Sequence, residues 1–379
     1  MSLRVLHVHS GNLYGGVETM LLTLARHPEL ASGVRWQFAL GATGKFSDAL
    51  AALGAAPVVI GLPRFARPWT LWSARAQLAL LLRRQPADVA IVHSLWTLAV
   101  WGPALRAAGV PIVLYAHSPS PGPAWLERRA RRTPPALVIA NSRYTADHLV
   151  PALASLPCEV IHPPLTLVGP APEARAPVRR ALGVGDAAGV LLQVARMEEG
   201  KGHRVALEAL APVRGDWVYW IVGGAQRPAE AAYARSLRAL AGRLGIAGRV
   251  TFLGERTDVP ALLAAADIFV QPSTEPEGFG LALVEAMAAG RAAVASDSGA
   301  TPEFADERCA RLVPPAEVPA WTGAFRELLG DSGLRAALGR AAEGRARQAC
   351  DPAIWIPRLG ELLASQPALH QPQEARPGR

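Results

Sequence analysis

Between Pro272 and Gly290 the chain reads PSTEPEGFGLALVEAMAAG, and this stretch holds its most definite chemistry. Pro272 and Pro276 oppose helix, while Gly278 and Gly280 let the backbone come close to a ligand. Leu281, Val284 and Ala288 then recur at helical spacing, and Gly290 is the residue type expected just past a helix end. Glu277 therefore precedes the helix and Glu285 lies inside it. A helix N-terminus behind glycines offers backbone N–H groups and the positive end of a dipole to an anionic oxygen. Carboxylates accept hydrogen bonds from sugar hydroxyls. The chemistry of the stretch is that of a phosphate joined to a polyol.

Other candidates follow apolar strand-like runs. Gly15 and Gly16, in SGNLYGGVE, precede a helix and read either as a phosphate-facing backbone nest or as a tight turn. The spacing is not the GxGxxG of a dinucleotide site. His117 ends PIVLYAHS, where it can hydrogen-bond a sugar hydroxyl, steady developing charge, cap a helix or pack in the core. Asn141 and Ser142 end the next run, with Ser142 a helix cap or a ligand contact. His7 and His9 share one strand face, but with no third ligand nearby they do not make a metal site. Arg196 and Lys201, in ARMEEGKGH, are either surface cations or a clamp for a departing diphosphate. Gly254, Glu255 and Arg256 stand where a nucleotide base would lie. No DxD sequence occurs, so a metal-held diphosphate of that type lacks obvious ligands.

The elements that must position these residues alternate. Seven short apolar runs between residues 4 and 162 are separated by helical segments, and six more lie between 189 and 315. Continuous apolar strands joined by helices describe a parallel sheet covered on both faces, so the fold class is α/β with two doubly wound domains. The expected boundaries are an acceptor domain over 1–166, a linker over 167–177, a donor domain over 178–350, a returning helix over 351–365 and a disordered tail over 366–379. Two such sheets with strand-end loops turned toward one another would make an interdomain cleft.

The composition is 50% hydrophobic and 18% charged, which excludes a disordered chain. A net charge of +8 favours an anionic partner, although much of the arginine is scattered through alanine-rich helices. Arg128, Arg129, Arg131 and Arg132 form a denser cluster beside Trp125 that suits peripheral contact with anionic lipid. No nucleic-acid motif or base-stacking platform accompanies the charge. Cys158, Cys309 and Cys350 are widely spaced, and MSLRVLHVH has no long apolar region. A cytoplasmic protein is expected, with peripheral contact at the inner membrane face.

Taken together, these stretches resemble the retaining glycosyltransferases of family 4, which have the GT-B fold. Glu277 and Glu285, with seven residues between them, match the family's E-x7-E signature. The likeness continues through GGVE at 15–18, His117, ANSRYTADHL at 140–149, RMEEGKG, VTFLG, ASDSGATPE at 295–303 and Trp355. The resemblance implies a nucleoside-diphosphate sugar, UDP- or GDP-linked, as donor substrate, with no cofactor and no metal. It implies that Glu277 holds donor-sugar hydroxyls and Glu285 the ribose. Backbone amides of Gly278, Phe279, Gly280 and Leu281 would line the sugar and phosphate. Arg196 and Lys201 would neutralise the leaving group, Gly16 would face the phosphate, and His117 would contact the transferred sugar.

Three positions depart from the family pattern. IHPPL places His162, Pro163 and Pro164 where relatives often carry Asn-Gly, VGGAQ at 222–226 lacks the common aspartate, and Ser118 rather than an acid follows His117. Donor choice therefore does not transfer. The acceptor is a sugar, a lipid-linked sugar or a natural-product aglycone, and Trp69, Trp72, Trp96, Trp101 and Trp125 are either its stacking surfaces or core. A sugar-nucleotide epimerase and a catalytically silent GT-B module are the competing readings.

Overall fold

The structure is a computed structural model and describes residues 2–12, 14–119, 124–225 and 227–369. It divides into two compact units, one running to Thr166 and resuming at Asp351, the other spanning Leu167–Cys350.

The first unit is a parallel sheet of β1 (Leu3–His9), β2 (Val34–Leu40), β3 (Val58–Val59), β4 (Val89–Val92), β5 (Ile112–Ala116), β6 (Leu137–Ala140) and β7 (Cys158–Val160). Their order is β3-β2-β1-β4-β5-β6-β7, so it reverses between β1 and β4. Every residue of β4, β5 and β6 is buried, as continuous apolar runs require when both faces are covered. Helices Pro68–Arg84 and Leu95–Ala107 cover one face through Leu71, Leu78, Leu98 and Trp101. Helix Gly16–Arg26 covers the other with Met20, Leu21 and Leu24. Helix Pro352–Ser365 joins that second face, burying Trp355, Ile356, Leu359 and Leu363. Trp355 also stacks on His162 with ring centroids 4.4 Å apart, which gives the unusual IHPPL segment a packing role.

The disordered tail expected from residue 366 is corrected at its start. Pro367–Leu369 form a 3-10 turn and Leu369 is buried in the first unit's core. One apolar residue after a proline-bounded helix gave no periodic signal. Residues 370–379 lie outside the described residues.

The second unit contains β8 (Gly189–Val194), β9 (Trp217–Val222), β10 (Val250–Gly254), β11 (Ile268–Gln271), β12 (Ala292–Ser296) and β13 (Arg311–Val313). The order β10-β9-β8-β11-β12-β13 reverses between β8 and β11. Both expected doubly wound sheets are thus present.

The segment 167–177, expected to be an unpatterned linker, ends in structure: Pro172–Ala174 form a 3-10 turn and Arg175–Ala181 a helix. This helix has no apolar stripe, and a carboxylate organises it instead. Asp267 accepts from Arg175 Nη2 at 2.7 Å, from Arg179 Nη2 at 2.6 Å and from the Val190 amide at 2.7 Å. Arg179 is fully buried, and its other donors reach the carbonyls of Gly185, Asp186, Ala188 and Ala265. Burial pushes the Asp267 carboxyl up, but the Val190 amide and the two guanidinium groups outweigh it and hold the carboxyl below its usual range.

Removing one partner strands a buried charge, so Asp267→Asn is expected to cost about 3 kcal/mol at neutral pH. A depressed carboxyl stabilises the fold above its unfolded pKa of about 4, and that contribution is lost as pH falls through the folded value. Denaturant unfolding should therefore show the gap between parent and variant narrowing below about pH 4. An unchanged gap would contradict this account of Asp267.

Candidate functional site

The second unit's candidates gather at the carboxyl ends of its strands, on both sides of the reversal between β8 and β11. The loop after β8 carries Arg196 and, at the end of the 3-10 turn Glu199–Lys201, Lys201. The loop after β11 carries Ser273 and Glu277. Lys201 Nζ lies 2.7 and 2.9 Å from the two oxygens of Glu277, and Ser273 Oγ donates to Oε1 at 2.7 Å. Arg196 Nη1 pairs with Glu198 Oε1 at 2.6 Å.

Backbone contacts hold these side chains in register. The Thr274 amide donates to the Gly200 carbonyl at 2.9 Å, and Gln193 Nε2 donates to the Lys201 carbonyl at 2.8 Å. The Tyr219 hydroxyl in turn donates to Gln193 Oε1. Gly202 has φ +68°, and a Cβ there would fall 1.6 Å from the Pro272 oxygen, so only glycine lets the two loops close. From β12, the Ala300 amide donates to the Glu277 carbonyl at 3.0 Å, and Gly299 passes so near that a Cβ would lie 2.3 Å from that oxygen. Ser273, Gly299 and Ala300 were not among the expected site residues; SGAT at 298–301 was the signal for two of them.

Gly280 stands at the N-terminus of helix Leu281–Ala288 with φ +89°. Phe279 is buried and stacks on Phe304 at 5.0 Å. Glu285 lies inside the helix, where burial pushes its carboxyl up to about 7. Gly254 ends β10 and accepts from the Gly223 amide at 2.8 Å, which places the ends of β9 and β10 together. Glu255 lies over Gly224, whose absent Cβ would meet Glu255 Cβ at 3.2 Å. Arg256 turns to Asp258 at 2.7 and 2.8 Å on an exposed surface, so its guanidinium is already paired. Gln226, the last residue of VGGAQ, lies outside the described residues.

In the first unit, Gly15 caps helix Gly16–Arg26. Its amide donates to Glu18 Oε2 at 2.9 Å and its carbonyl accepts from the Thr19 amide at 3.1 Å. Gly15 has φ −169°, an extended conformation open to any residue. His9 Nδ1 accepts the Gly11 amide at 3.0 Å, which leaves its hydrogen on Nε2, 3.4 Å from Glu18 Oε1. Burial pushes His9 down to about 4, so this contact is made by a neutral imidazole.

His117 follows β5, and its carbonyl accepts from Asn141 Nδ2 at 2.9 Å. Its ring is tied to His93, at the end of β4, and through it to His7 of β1. His93 is not among the residues expected at the site, although IVHS and YAHS place a histidine and a serine at the ends of adjacent strands. His117 and His93 line a cavity of about 230 Å³ with Ser94, Leu126 and Leu149. Ser142 acts as a helix cap, accepting from the Thr145 amide at 3.0 Å. Of the tryptophans, Trp101 is core, while Trp69 and Trp72 are 67% and 76% exposed and therefore open to contact. Among the described residues, no three His, Cys, Asp or Glu side chains are grouped to hold a metal ion. None of their helices is long and apolar enough to cross a membrane.

Residues 14–167 match the family model described as Glycosyltransferase Family 4, and residues 188–331 match Glycosyl transferases group 1. A GDP-mannose-dependent alpha-(1-6)-phosphatidylinositol monomannoside mannosyltransferase of Mycolicibacterium smegmatis is 32% identical over 295 residues, 71% of this chain and 74% of that protein. The chain belongs to glycosyltransferase family 4. A D-inositol 3-phosphate glycosyltransferase of Mycolicibacterium gilvum is 35% identical over 196 residues, 50% of this chain and 44% of that relative. Among solved structures, Anabaena HepE in complex with UDP and glucose superposes with TM-score 0.85 at 26% identity, covering 96% of this family 4 glycosyltransferase and 100% of HepE. Sucrose-phosphate synthase of Thermosynechococcus elongatus, at TM-score 0.81 and 18% identity, shares the fold. The fold of this family 4 glycosyltransferase is GT-B.

The state of Glu285 is open to a pH test. A carboxyl raised to about 7 from 4.5 favours folding below the lower value, and that contribution is lost as pH rises through the upper one. Glu285→Gln is therefore expected to be more stable than the parent at about pH 8 and to match it at about pH 4. Denaturant midpoints that differ equally at both pH values would contradict the shift.

Proposed function

We propose that this glycosyltransferase moves a hexosyl group from a UDP- or GDP-linked sugar to a sugar or lipid-linked sugar, with retention of configuration and without a metal. The observation that carries the reading is the Lys201–Glu277 pair, steadied by Ser273, at the reversal of a parallel sheet. Open parallel sheets bind ligands at that point. The carboxylate is assigned to donor-sugar hydroxyls, and the ammonium, with Arg196, to the departing diphosphate. Glu285 takes the ribose and the amides from Gly278 to Leu281 the sugar and phosphate. Gly16 is assigned to the phosphate and His117 to the transferred sugar. The acceptor hydroxyl oxygen would bond to the anomeric carbon from the face that the diphosphate leaves, as the anomeric carbon–oxygen bond to the diphosphate breaks and the hydroxyl proton passes to the departing phosphate oxygen. Fixed cations and backbone dipoles then stabilise the charge that develops on the leaving group.

The similar proteins support a nucleotide sugar and a polyol acceptor: GDP-mannose and phosphatidylinositol monomannoside in one, inositol phosphate in another, and UDP with glucose in HepE. A lipid-linked acceptor fits peripheral contact at the inner membrane face through Arg128, Arg129, Arg131 and Arg132. Exposed Trp125 stands on the same short helix, Ala124–Ala130, as the first two of these arginines. Replacing the four arginines should lower co-sedimentation with anionic liposomes, and unchanged co-sedimentation would remove the membrane contact.

A thermal-shift screen of nucleotide sugars identifies the donor, since a ligand at a hundred times its Kd stabilises by about 2.7 kcal/mol. With that donor, Arg196→Ala and Lys201→Ala are each expected to lower kcat by about 10²–10³-fold, as loss of one strong electrostatic donor does elsewhere. Glu277→Ala should likewise lose most turnover. Undiminished turnover in any of these variants would overturn the assignment of that residue.

A further inference from the structure

Three histidines of the first sheet form an unbroken line. His7 Nδ1 lies 3.0 Å from His93 Nε2, and His93 Nδ1 lies 3.0 Å from His117 Nε2. Successive rings have centroids 5.3 Å apart and planes 18° apart. Each contact needs one hydrogen, and a neutral imidazole has one N–H and one lone pair. Two arrangements of three neutral rings satisfy both contacts. In one, every hydrogen is on Nδ1, so the line starts with a bare lone pair on His7 Nε2 and ends with Nδ1–H on His117. In the other, every hydrogen is on Nε2, so His7 carries a terminal N–H and His117 ends in a lone pair.

The surroundings of His7 choose between them. His7 Nε2 is buried without a partner, among the rings of Trp36 and Phe38 at 5.3 and 5.5 Å. The Trp36 indole N–H is itself buried with no acceptor. A pocket that leaves one donor unpaired has nothing to accept from a second, and orphaned buried N–H groups are rarer than orphaned acceptors. His9, on the same strand, offers no lone pair, since its Nδ1 takes the Gly11 amide and its hydrogen faces Glu18. The Tyr115 hydroxyl donates to the Ile161 carbonyl at 2.7 Å.

We propose that His93 and His7 are positioning residues that hold His117 with its hydrogen on Nδ1, making it a fixed, neutral donor to an oxygen of the transferred sugar. This rests on the sugar contact assigned to His117 above. The ionisable groups around the line are His9, Glu18 beyond it, and Tyr115, which stacks on His117 at 4.5 Å. Burial, with the neighbouring imidazoles, pushes His7 and His117 down to about 3 and His93 well below its ordinary range. A neutral donor contacts the sugar without adding positive charge beside a carbon that itself becomes positive.

Nitrogen NMR of isotope-labelled histidine distinguishes protonated from bare ring nitrogens in the unmodified protein. The expected result is hydrogen on Nδ1 of His7, His93 and His117, with no imidazolium in the line down to about pH 5. Hydrogen on Nε2 of His117, or an imidazolium, would overturn the proposal. In a second arm, His7→Phe keeps a ring but removes the donor. It should mix the His117 tautomers and lower kcat about fivefold, the worth of one net hydrogen bond, with the donor KM unchanged. His7→Asn, whose side-chain amide N–H stands in for Nδ1–H, should recover most of that loss. Equal losses in both variants would mean a packing role and overturn the proposal. His117→Ala with undiminished kcat would instead overturn the sugar contact, while the nitrogen spectrum still reports whether the line sets the tautomer.

Discussion

The Lys201–Glu277 ion pair is the interaction around which the second unit's site is arranged. Its members come from loops after β8 and β11, and a bidentate ammonium–carboxylate contact fixes both loops at once. The pair stays partly open to solvent, with side-chain exposures of 26% and 17%, so its value as a stabiliser is small beside its value as a positioner. Several otherwise odd features follow from keeping those loops together. Gly202 is forced by Pro272, Gly299 by the Glu277 backbone, and Gln193 spends its amide on the Lys201 carbonyl.

The first unit solves the same problem with different chemistry. Its sheet also reverses, between β1 and β4, and there β1 and the ends of β4 and β5 place the three histidines of one hydrogen-bonded line. No ion pair joins them. Burial keeps the three rings neutral, so what passes along the line is the choice of which nitrogen carries hydrogen. In both units a reversal of strand order brings together residues that are far apart in sequence.

Much of this was legible before the structure. Strands buried on both faces, such as β4, β5 and β6, must be continuously apolar, and the thirteen strands of the described residues coincide with the seven and six short runs legible in the sequence. Candidate ligand residues follow such strands, so Glu277, Lys201, Arg196 and His117 stand out by position as well as type. What escaped notice depends on partners distant in sequence. Arg175 falls in the expected linker and Arg179 just past it, and neither shows its role in sequence because Asp267 lies about ninety residues on. His93 carries no signal of its own in the sequence, since its neighbours in space are 86 and 24 residues away. Ser273 is one loop serine among many until Glu277 is placed beside it, and Arg256, prominent in sequence, proves to be paired with Asp258.

Under the proposed function, Lys201 and Glu277 act on a nucleotide sugar as one unit. A double-mutant cycle tests it most directly, with calorimetric donor binding measured for the parent, Lys201→Ala, Glu277→Ala and the double variant. The double variant should lose less than the sum of the single losses, with a coupling above about 1 kcal/mol. Losses that add to within about 0.5 kcal/mol would contradict it.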